Sequence, residues 1–143
     1  MSPENPPLAA SAGFLLVVAG RAAQRRLESG LAEHGLTLRH LGALGHLSRN
    51  PELSYSDLAR RSGVTAQSMH ATVRALEELG AVRRRHEGHG HPARLEVTGK
   101  GRDLLGAAGR LAEKLDEDLL AGLTPEQRAE FRRLLQALVP PPG

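Results

Sequence analysis

The middle of the chain most constrains the fold, because two closely spaced helix signals are followed there by two short strand signals. Ser54 and Asp57 have the S-x-x-D form of a capping box, which predicts that a short helix begins there. Gly63 is expected to end this helix, Val64 to plug the corner, and Thr65 to cap a second helix. The pattern is that of a helix-turn-helix.

The second of these helices, predicted from Ala66 to Leu79, has an apolar face and a polar face whose front half lacks acidic residues. The apolar face comprises Met69, Thr72, Val73 and Leu76, and the polar face comprises Gln67, Ser68, His70, Ala71 and Arg74. A helix that enters the major groove of DNA needs small residues for close approach and donors that bond to base edges. Gln67, Ser68, His70 and Arg74 are therefore predicted DNA contacts.

A small β-hairpin is predicted directly after this helix. The segment from Ala81 to Arg85 has strand character, the segment from Arg94 to Val97 forms its return, and a Gly/His/Pro loop joins them. The apolar residues Val82, Leu95 and Val97 are expected to cover the core. Arg83, Arg84 and Arg85 point to alternate sides, so we expect one or two of them to remain free to neutralise phosphates. A helix-turn-helix followed by a wing is a far more specific sign of a DNA-binding fold than any one of these parts alone.

The remaining sequence predicts a mainly helical chain. Tyr55 is the only tyrosine, there are two phenylalanines and no tryptophan, so the core must consist mostly of Leu, Val and Ala. We predict six helices, of which the other four span about Leu8 to His34, Leu38 to Arg49, Gly99 to near Gly122, and Pro125 to about Leu138. Thr37, Thr98 and Thr124 are the expected N-caps of the last three.

Three regions follow from this order of elements. Residues 1–36 form an N-terminal arm and dimerisation helix, residues 37–100 a winged helix-turn-helix DNA-binding domain, and residues 101–143 C-terminal dimerisation helices. The terminal helices carry more apolar surface than one small lobe can cover, so a two-fold dimer of the obligate type is expected to bury it. Two such lobes should lie about 34 Å apart and read a near-palindrome.

Charge and the absence of catalytic motifs restrict the function. Residues 37–100 contain ten Lys/Arg against six Asp/Glu, a net charge of +4, whereas the rest of the chain has −1, so a polyanionic partner is expected. The chain has no cysteine, no G-x-S-x-G motif and no phosphate-binding loop, which argues against an enzyme and against a bound cofactor. The longest apolar run is too short to cross a bilayer, and we expect a cytoplasmic protein without membrane contact.

Four segments of the chain resemble the MarR regulators. They are Gly35 to Leu38, Ser54 to Gly63, Leu76 to Arg84, and Val97 to Gly101. The resemblance implies a homodimer whose first and last helices interlock, winged lobes that read a palindromic operator, and repression that a small ligand frequently relieves. It implies a sequence-specific, ligand-responsive repressor of transcription that binds double-stranded DNA.

The resemblance also suggests candidate residues for an effector and for the DNA. An effector would lie between the dimerisation helices and the DNA-binding lobe, near Phe14, Arg21, His40, Leu44 and Tyr55. The candidate DNA contacts include the cap residues Ser54 and Thr65 and the wing residues Arg83, Arg84, Arg85, His89, His91 and Arg94. No metal ligand is assigned.

The wing loop departs from the family pattern. Members usually carry an Asp-x-Arg motif whose arginine reaches the minor groove, and here His91 or Arg94 is the nearest substitute. His86, His89 and His91 allow three interpretations: solvated or DNA-facing residues, a pH-responsive DNA contact, or a zinc or nickel site. The last two correspond to a metal- or pH-responsive regulator.

A further alternative is a winged-helix module that binds protein rather than DNA, to which the acidic outer face of the fifth helix would be suited. Binding to duplex DNA that weakens with salt separates these functions.

Overall fold

The computed structural model describes residues 7–85 and 94–139 of the 143-residue chain. Within these residues, a short 3-10 turn and six α-helices surround one two-stranded antiparallel sheet. The helices are α1 (Ala12–Ala32), α2 (Leu38–Arg49), α3 (Tyr55–Ser62), α4 (Ala66–Glu78), α5 (Gly99–Leu119) and α6 (Pro125–Leu138), and the strands are β1 (Val82–Arg85) and β2 (Arg94–Val97). The predicted fold, mainly α with a small β-wing, is confirmed.

Every α-helix begins after a serine or threonine whose side-chain oxygen accepts a hydrogen bond from the backbone amide three residues later. The six caps are Ser11, Thr37, Ser54, Thr65, Thr98 and Thr124. Each such cap stabilises a helix by about 1 kcal/mol. Five of them were predicted, and Ser11 was missed because the first helix was expected to start at Leu8, which instead begins the 3-10 turn.

The core of the winged lobe lies between α2, α3 and α4, with the carboxyl end of α1 packed against it. Its most deeply buried side chains are Leu31, Leu44, Leu47, Leu58, Met69, Val73 and Leu76, none of them more than 1% exposed. Val82 and Leu95 close the core from the wing, as predicted. The four residues predicted for the apolar face of α4 are all buried.

The turn between α3 and α4 is tight, because Gly63 adopts a left-handed conformation with φ of 68°. Residues with a Cβ rarely adopt this conformation, so glycine ends α3 at little cost. Val64 then packs against the core, as expected for a residue that plugs the corner.

Backbone and side-chain contacts attach the wing to α5. The amide of Thr98 donates to the carbonyl of Ala81 at 3.0 Å, and the Thr98 hydroxyl donates to the carbonyl of Gly80 at 2.5 Å. Gly101 approaches the same backbone so closely that a Cβ at this position would overlap the Ala81 carbonyl oxygen. The base of the wing is therefore held rigidly beside α4 and α5.

Large apolar side chains of α1 and α6 are exposed among the residues that the structure describes. Residues 14–18 of α1 are each between 40% and 52% exposed, and α6 has no buried residue although it carries Phe131, Leu134 and Leu138. Exposed apolar surface on this scale marks an interaction site. None of the helices in the described ranges has the length and apolar character needed to cross a membrane.

Candidate nucleic-acid interface

The candidate interface is centred on the exposed face of α4. Gln67, His70, Ala71 and Arg74 are exposed, and Ser68 is half-buried. The opposite face of the helix is anchored in the core, and the hydroxyl of Thr72 donates to the carbonyl of Ser68 at 3.0 Å. The first acidic residue of the helix is Glu77, in its last turn. The face therefore presents small side chains and hydrogen-bond donors on a rigid helix, as a major-groove reader requires.

The two cap residues lie at the entry of α3 and α4. Ser54 accepts from the amide of Asp57 at 3.1 Å, and Thr65 accepts from the amide of Ser68 at 3.1 Å while its hydroxyl donates to the Ser68 side chain. Both remain exposed. Their first role is to begin the two helices, and contact with a phosphate would be additional.

The wing arginines point to alternate sides, as expected, but each lies beside a carboxylate. Arg83 and Arg85 share Glu96, at 3.0 Å and 3.4 Å, and Arg84 pairs with Glu77 of α4 at 2.9 Å. The prediction that one or two of these arginines would remain free was therefore wrong for the protomer without DNA. Exposed ion pairs contribute little to stability, so DNA phosphates can replace these carboxylates.

The Glu96 carboxylate is the centre of this charged group on the wing. Its hydrogen bond with Arg83, together with the nearby charges of Arg83, Arg85 and Arg102, lowers the pKa of Glu96 below its usual range. At the other edge of the hairpin, Arg94 pairs with Glu52 at 3.2 Å, which joins the wing to the segment before α3. The four wing arginines thus face three carboxylates, so the positive charge of the wing is only partly compensated.

Tyr55 lies in the helix-turn-helix lobe, between α4 and the wing. Its ring stacks on the imidazole of His70, with 4.3 Å between ring centroids and 19° between planes. The Arg84 guanidinium lies over the Tyr55 ring, 5.6 Å from its centroid. α3, α4 and β1 thus meet in one side-chain cluster that we call the Tyr55 cluster, comprising Tyr55, His70, Glu77 and Arg84.

The five residues expected around an effector are not brought together within the protomer. Leu44 is fully buried in the core, Tyr55 belongs to the cluster just described, and Phe14 and Arg21 are exposed on α1. The complete burial of Leu44 disagrees with its assignment to an effector site, whereas the assignment of Tyr55 stays a prediction. Both relied on resemblance, although the helical period already places Leu44 on the apolar stripe of α2.

His40 differs from these four, because it lines an open cavity of about 510 Å³ between α1, α2 and α4. The other lining residues are Glu28, Thr37, Leu38, Arg39, Ser68, Ala71 and Thr72. The His40 ring accepts from the Thr37 amide at 3.2 Å and completes a capping box. Burial, and secondarily the Arg39 charge, lowers the pKa of His40 from 6.5. Sequence reasoning missed Glu28, Ala71 and Thr72 as neighbours of His40, since they lie on two other helices, α1 and α4.

The wing histidines His86, His89 and His91 lie outside the described residues, so the metal and pH interpretations of that loop stay predictions. Elsewhere, across residues 7–85 and 94–139, no group of three or more potential metal ligands occurs.

A helix-turn-helix with an exposed, donor-rich second helix and a basic hairpin attached beside it defines a winged helix-turn-helix protein. The family model described as MarR family matches residues 34–91. The chain is 38% identical over 129 residues to the HTH-type transcriptional repressor Rv2887 of Mycobacterium tuberculosis. The aligned region covers 88% of this chain and 91% of that relative. The chain belongs to the MarR family.

Solved structures agree with this assignment. The Mycobacterium tuberculosis MarR family protein Rv2887 in complex with DNA has a TM-score of 0.79 at 35% identity, covering 92% of this chain and 99% of that one. The same protein in complex with salicylic acid has a TM-score of 0.73 at 34% identity, covering 97% of this chain and all of that one. The wing and all six helices thus follow an arrangement already seen in relatives.

Proposed function

We propose that this protein is a ligand-responsive transcriptional repressor that binds a near-palindromic operator in double-stranded DNA as a homodimer. The observation that carries the proposal is the exposed face of α4, where Gln67, His70 and Arg74 precede the first acidic residue of a helix anchored by its opposite face. Its relatives are named transcriptional repressors, and one of them was solved with DNA. We propose no catalytic reaction, and we place the protein in the cytoplasm, where a bacterial operator lies.

The contacts divide by chemistry. Gln67, Ser68, His70 and Arg74 can bond to base edges and carry sequence preference. The cations Arg83, Arg84, Arg85 and Arg94 can exchange their carboxylate partners for phosphates, which adds affinity without sequence preference. His89 and His91 are proposed to extend this second group from the wing loop.

The dimer follows from apolar surface that the protomer does not cover. The α1 segment of residues 14–18 is apolar on all sides and exposed, and Phe131, Leu134 and Leu138 of α6 are exposed as well. A helix that is apolar all round is stable only when it is surrounded. A two-fold partner would surround it and would present two copies of α4 to successive turns of the same DNA face.

The cavity beside His40 is the proposed effector site. It is bounded by Arg39 and the amino end of α2, both of which favour an anion, by the opposing carboxylate of Glu28, and by Ser68 and Ala71 of α4. A molecule bound there touches the DNA-reading helix itself, so occupancy can change how α4 meets the groove. Salicylate is the probe to use, because the relative solved with salicylic acid shares 34% of its residues with this chain.

The proposal is tested by selecting bound sequences from random duplex DNA and measuring affinity by fluorescence anisotropy at several salt concentrations. We expect a palindromic consensus, tight binding that weakens with salt, and release by millimolar salicylate. Arg39→Gln should weaken the salicylate response while leaving DNA affinity nearly unchanged. A purified protein that is monomeric at micromolar concentration and fails to bind duplex DNA at low salt would refute the proposal.

A further inference from the structure

The Tyr55 cluster joins the DNA-reading helix to the wing through one aromatic ring. Tyr55 is the first residue of α3, half-buried, and its ring is stacked on His70, which is exposed on the DNA-facing side of α4. A stack of this kind covers one face of the imidazole and leaves its edge, with both ring nitrogens, open. The edge is the part of the ring that can bond to a base.

The ring of Tyr55 is itself held in place. Arg84 of β1 lies over it at 5.6 Å and is in turn fixed by Glu77 at 2.9 Å. Glu77 follows His70 by two helical turns and so lies on the same side of α4. Tyr55 is thus confined between two side chains that α4 holds: His70, which belongs to α4, and Arg84, which is fixed by Glu77 of α4.

The hydroxyl of Tyr55 does not contribute to this arrangement. It is buried without a hydrogen-bond partner among the residues that the structure describes. Burial raises the pKa of Tyr55 above its usual value. The Glu77 charge adds to this effect, and the Arg84 charge opposes it without cancelling it. The aromatic ring, not the phenol, is the part that the cluster uses.

We propose that Tyr55 is a positioning residue that fixes the plane of the His70 imidazole, and that His70, so fixed, selects one base pair of each operator half-site. An exposed histidine on a helix samples several rotamers and must lose that freedom when it bonds to a base. The stack removes the freedom before DNA arrives, which is preorganisation. This inference deepens the proposed DNA-binding function and depends on it.

The stack can be measured without DNA, because Tyr55 is the only tyrosine of the chain and there is no tryptophan. Its fluorescence reports on the ring directly, and the stacked imidazole of His70 shields one face of the ring from a small collisional quencher such as acrylamide. We expect acrylamide to quench the tyrosine emission of the full-length protein less than that of a His70→Ala variant at the same pH.

His70→Gln should be quenched as strongly as His70→Ala, since glutamine has no aromatic ring to stack on Tyr55. Identical quenching of the His70→Gln variant and the unmodified protein would show that the two rings do not interact in solution, and would overturn the inference irrespective of DNA binding.

The second measurement is base preference, scored on the selected duplex and on duplexes changed at one base pair at a time. His70→Ala should lose about fivefold preference at one position, the factor for one hydrogen bond of about 1 kcal/mol. Tyr55→Leu should lose a similar factor at the same position, and the double variant should lose no more there than His70→Ala. Tyr55→Phe, which keeps the ring and removes only the unpartnered hydroxyl, is the matched control and should retain the full preference.

A merely structural role for Tyr55 has a different outcome. Tyr55→Leu would then weaken binding to every duplex equally and lower the melting temperature, and Tyr55→Leu with unchanged preference at every position would likewise overturn the inference. In both cases the unmodified protein still binds its selected sequence, so the proposed function stands. Failure of the unmodified protein to bind duplex DNA at all would overturn both.

Discussion

Arg74→Ala should weaken binding to the selected operator by at least about 30-fold while leaving the stability of the fold nearly unchanged. Arg74 is exposed on α4 and forms no ion pair with any residue in the described ranges. Exposed substitutions away from caps and the core usually change the free energy of unfolding by less than about 0.5 kcal/mol. The effect of this substitution should therefore be confined to DNA.

The magnitude follows from the geometry and the symmetry. A bidentate bond from arginine to guanine contributes about 1–3 kcal/mol of discrimination. A homodimer on a palindrome makes the contact twice, so the loss is about 2–6 kcal/mol, of which the lower limit corresponds to about 30-fold. Non-specific duplex should lose much less, because only one charge per protomer is removed.

Fluorescence anisotropy on the selected operator and on scrambled duplex, at matched salt, measures the two losses. Arg74→Lys is the matched control: it keeps the charge but lacks the planar fork, so it should behave like alanine on the operator and like arginine on scrambled DNA. An equal loss on both duplexes for Arg74→Ala, or full recovery of operator affinity by Arg74→Lys, would refute base reading by this residue.

Three further outcomes are expected. Glu77→Gln removes the carboxylate beside Arg84 and should raise the affinity for scrambled duplex, where base preference plays no part. Arg84→Ala should lower the salt slope of binding by less than ~0.9 per protomer, the value for a free phosphate contact, because Glu77 already compensates the charge of Arg84. A lower affinity of Glu77→Gln for scrambled duplex, or a steeper salt slope for Arg84→Ala, would contradict this reasoning. Gly101→Ala should destabilise the fold by about 1–3 kcal/mol in urea unfolding, because its Cβ would meet the Ala81 carbonyl. Gly42→Ala, with nothing within 4 Å, should be neutral or stabilising and is the control. Burial, with the Arg39 charge, lowers the pKa of His40 from 6.5. The stabilisation that neutral His40 contributes is therefore complete above pH 6.5 and is lost as the pH falls through the lower pKa of the folded state. The melting temperature should drop on acidification, and it should drop less in His40→Gln.

His40→Gln is an informative variant because the chain already contains the replacement. In α6 the side chain of Gln127 accepts from the amide of the Thr124 cap at 2.9 Å, as His40 does for Thr37. Glutamine at position 40 can therefore keep the capping box while removing the titrating group. A fall in melting temperature that is just as steep in the variant would place the pH response elsewhere.

The features that depend on short stretches of chain were predictable from the sequence. The caps at Thr37, Ser54 and Thr65 lie within three residues of the amides that they accept from, so local composition determines them. The buried and exposed faces of α4 follow from the 3.6-residue period, and those of the wing follow from the two-residue period of a strand. The helix-turn-helix, the wing and the DNA-reading face are all features of this local kind.

Contacts between side chains far apart in the sequence were not predictable. Arg84 was expected to be available for phosphate, and Tyr55 was placed near an effector, yet both lie in one cluster with His70 and Glu77. Periodicity shows on which face of its own helix or strand a side chain lies, but not which residues of other elements contact it.

For this protein, then, local sequence determined where the helices begin, which faces are buried and that the polar face of α4 is rich in donors. Packing decided which arginines are compensated by carboxylates, that Tyr55 lies between His70 and Arg84, and that residues of three helices enclose the cavity beside His40. The physical reason is distance: capping and periodicity act within a few residues of backbone, whereas ion pairs, ring stacks and cavities depend on how separate elements are placed against one another.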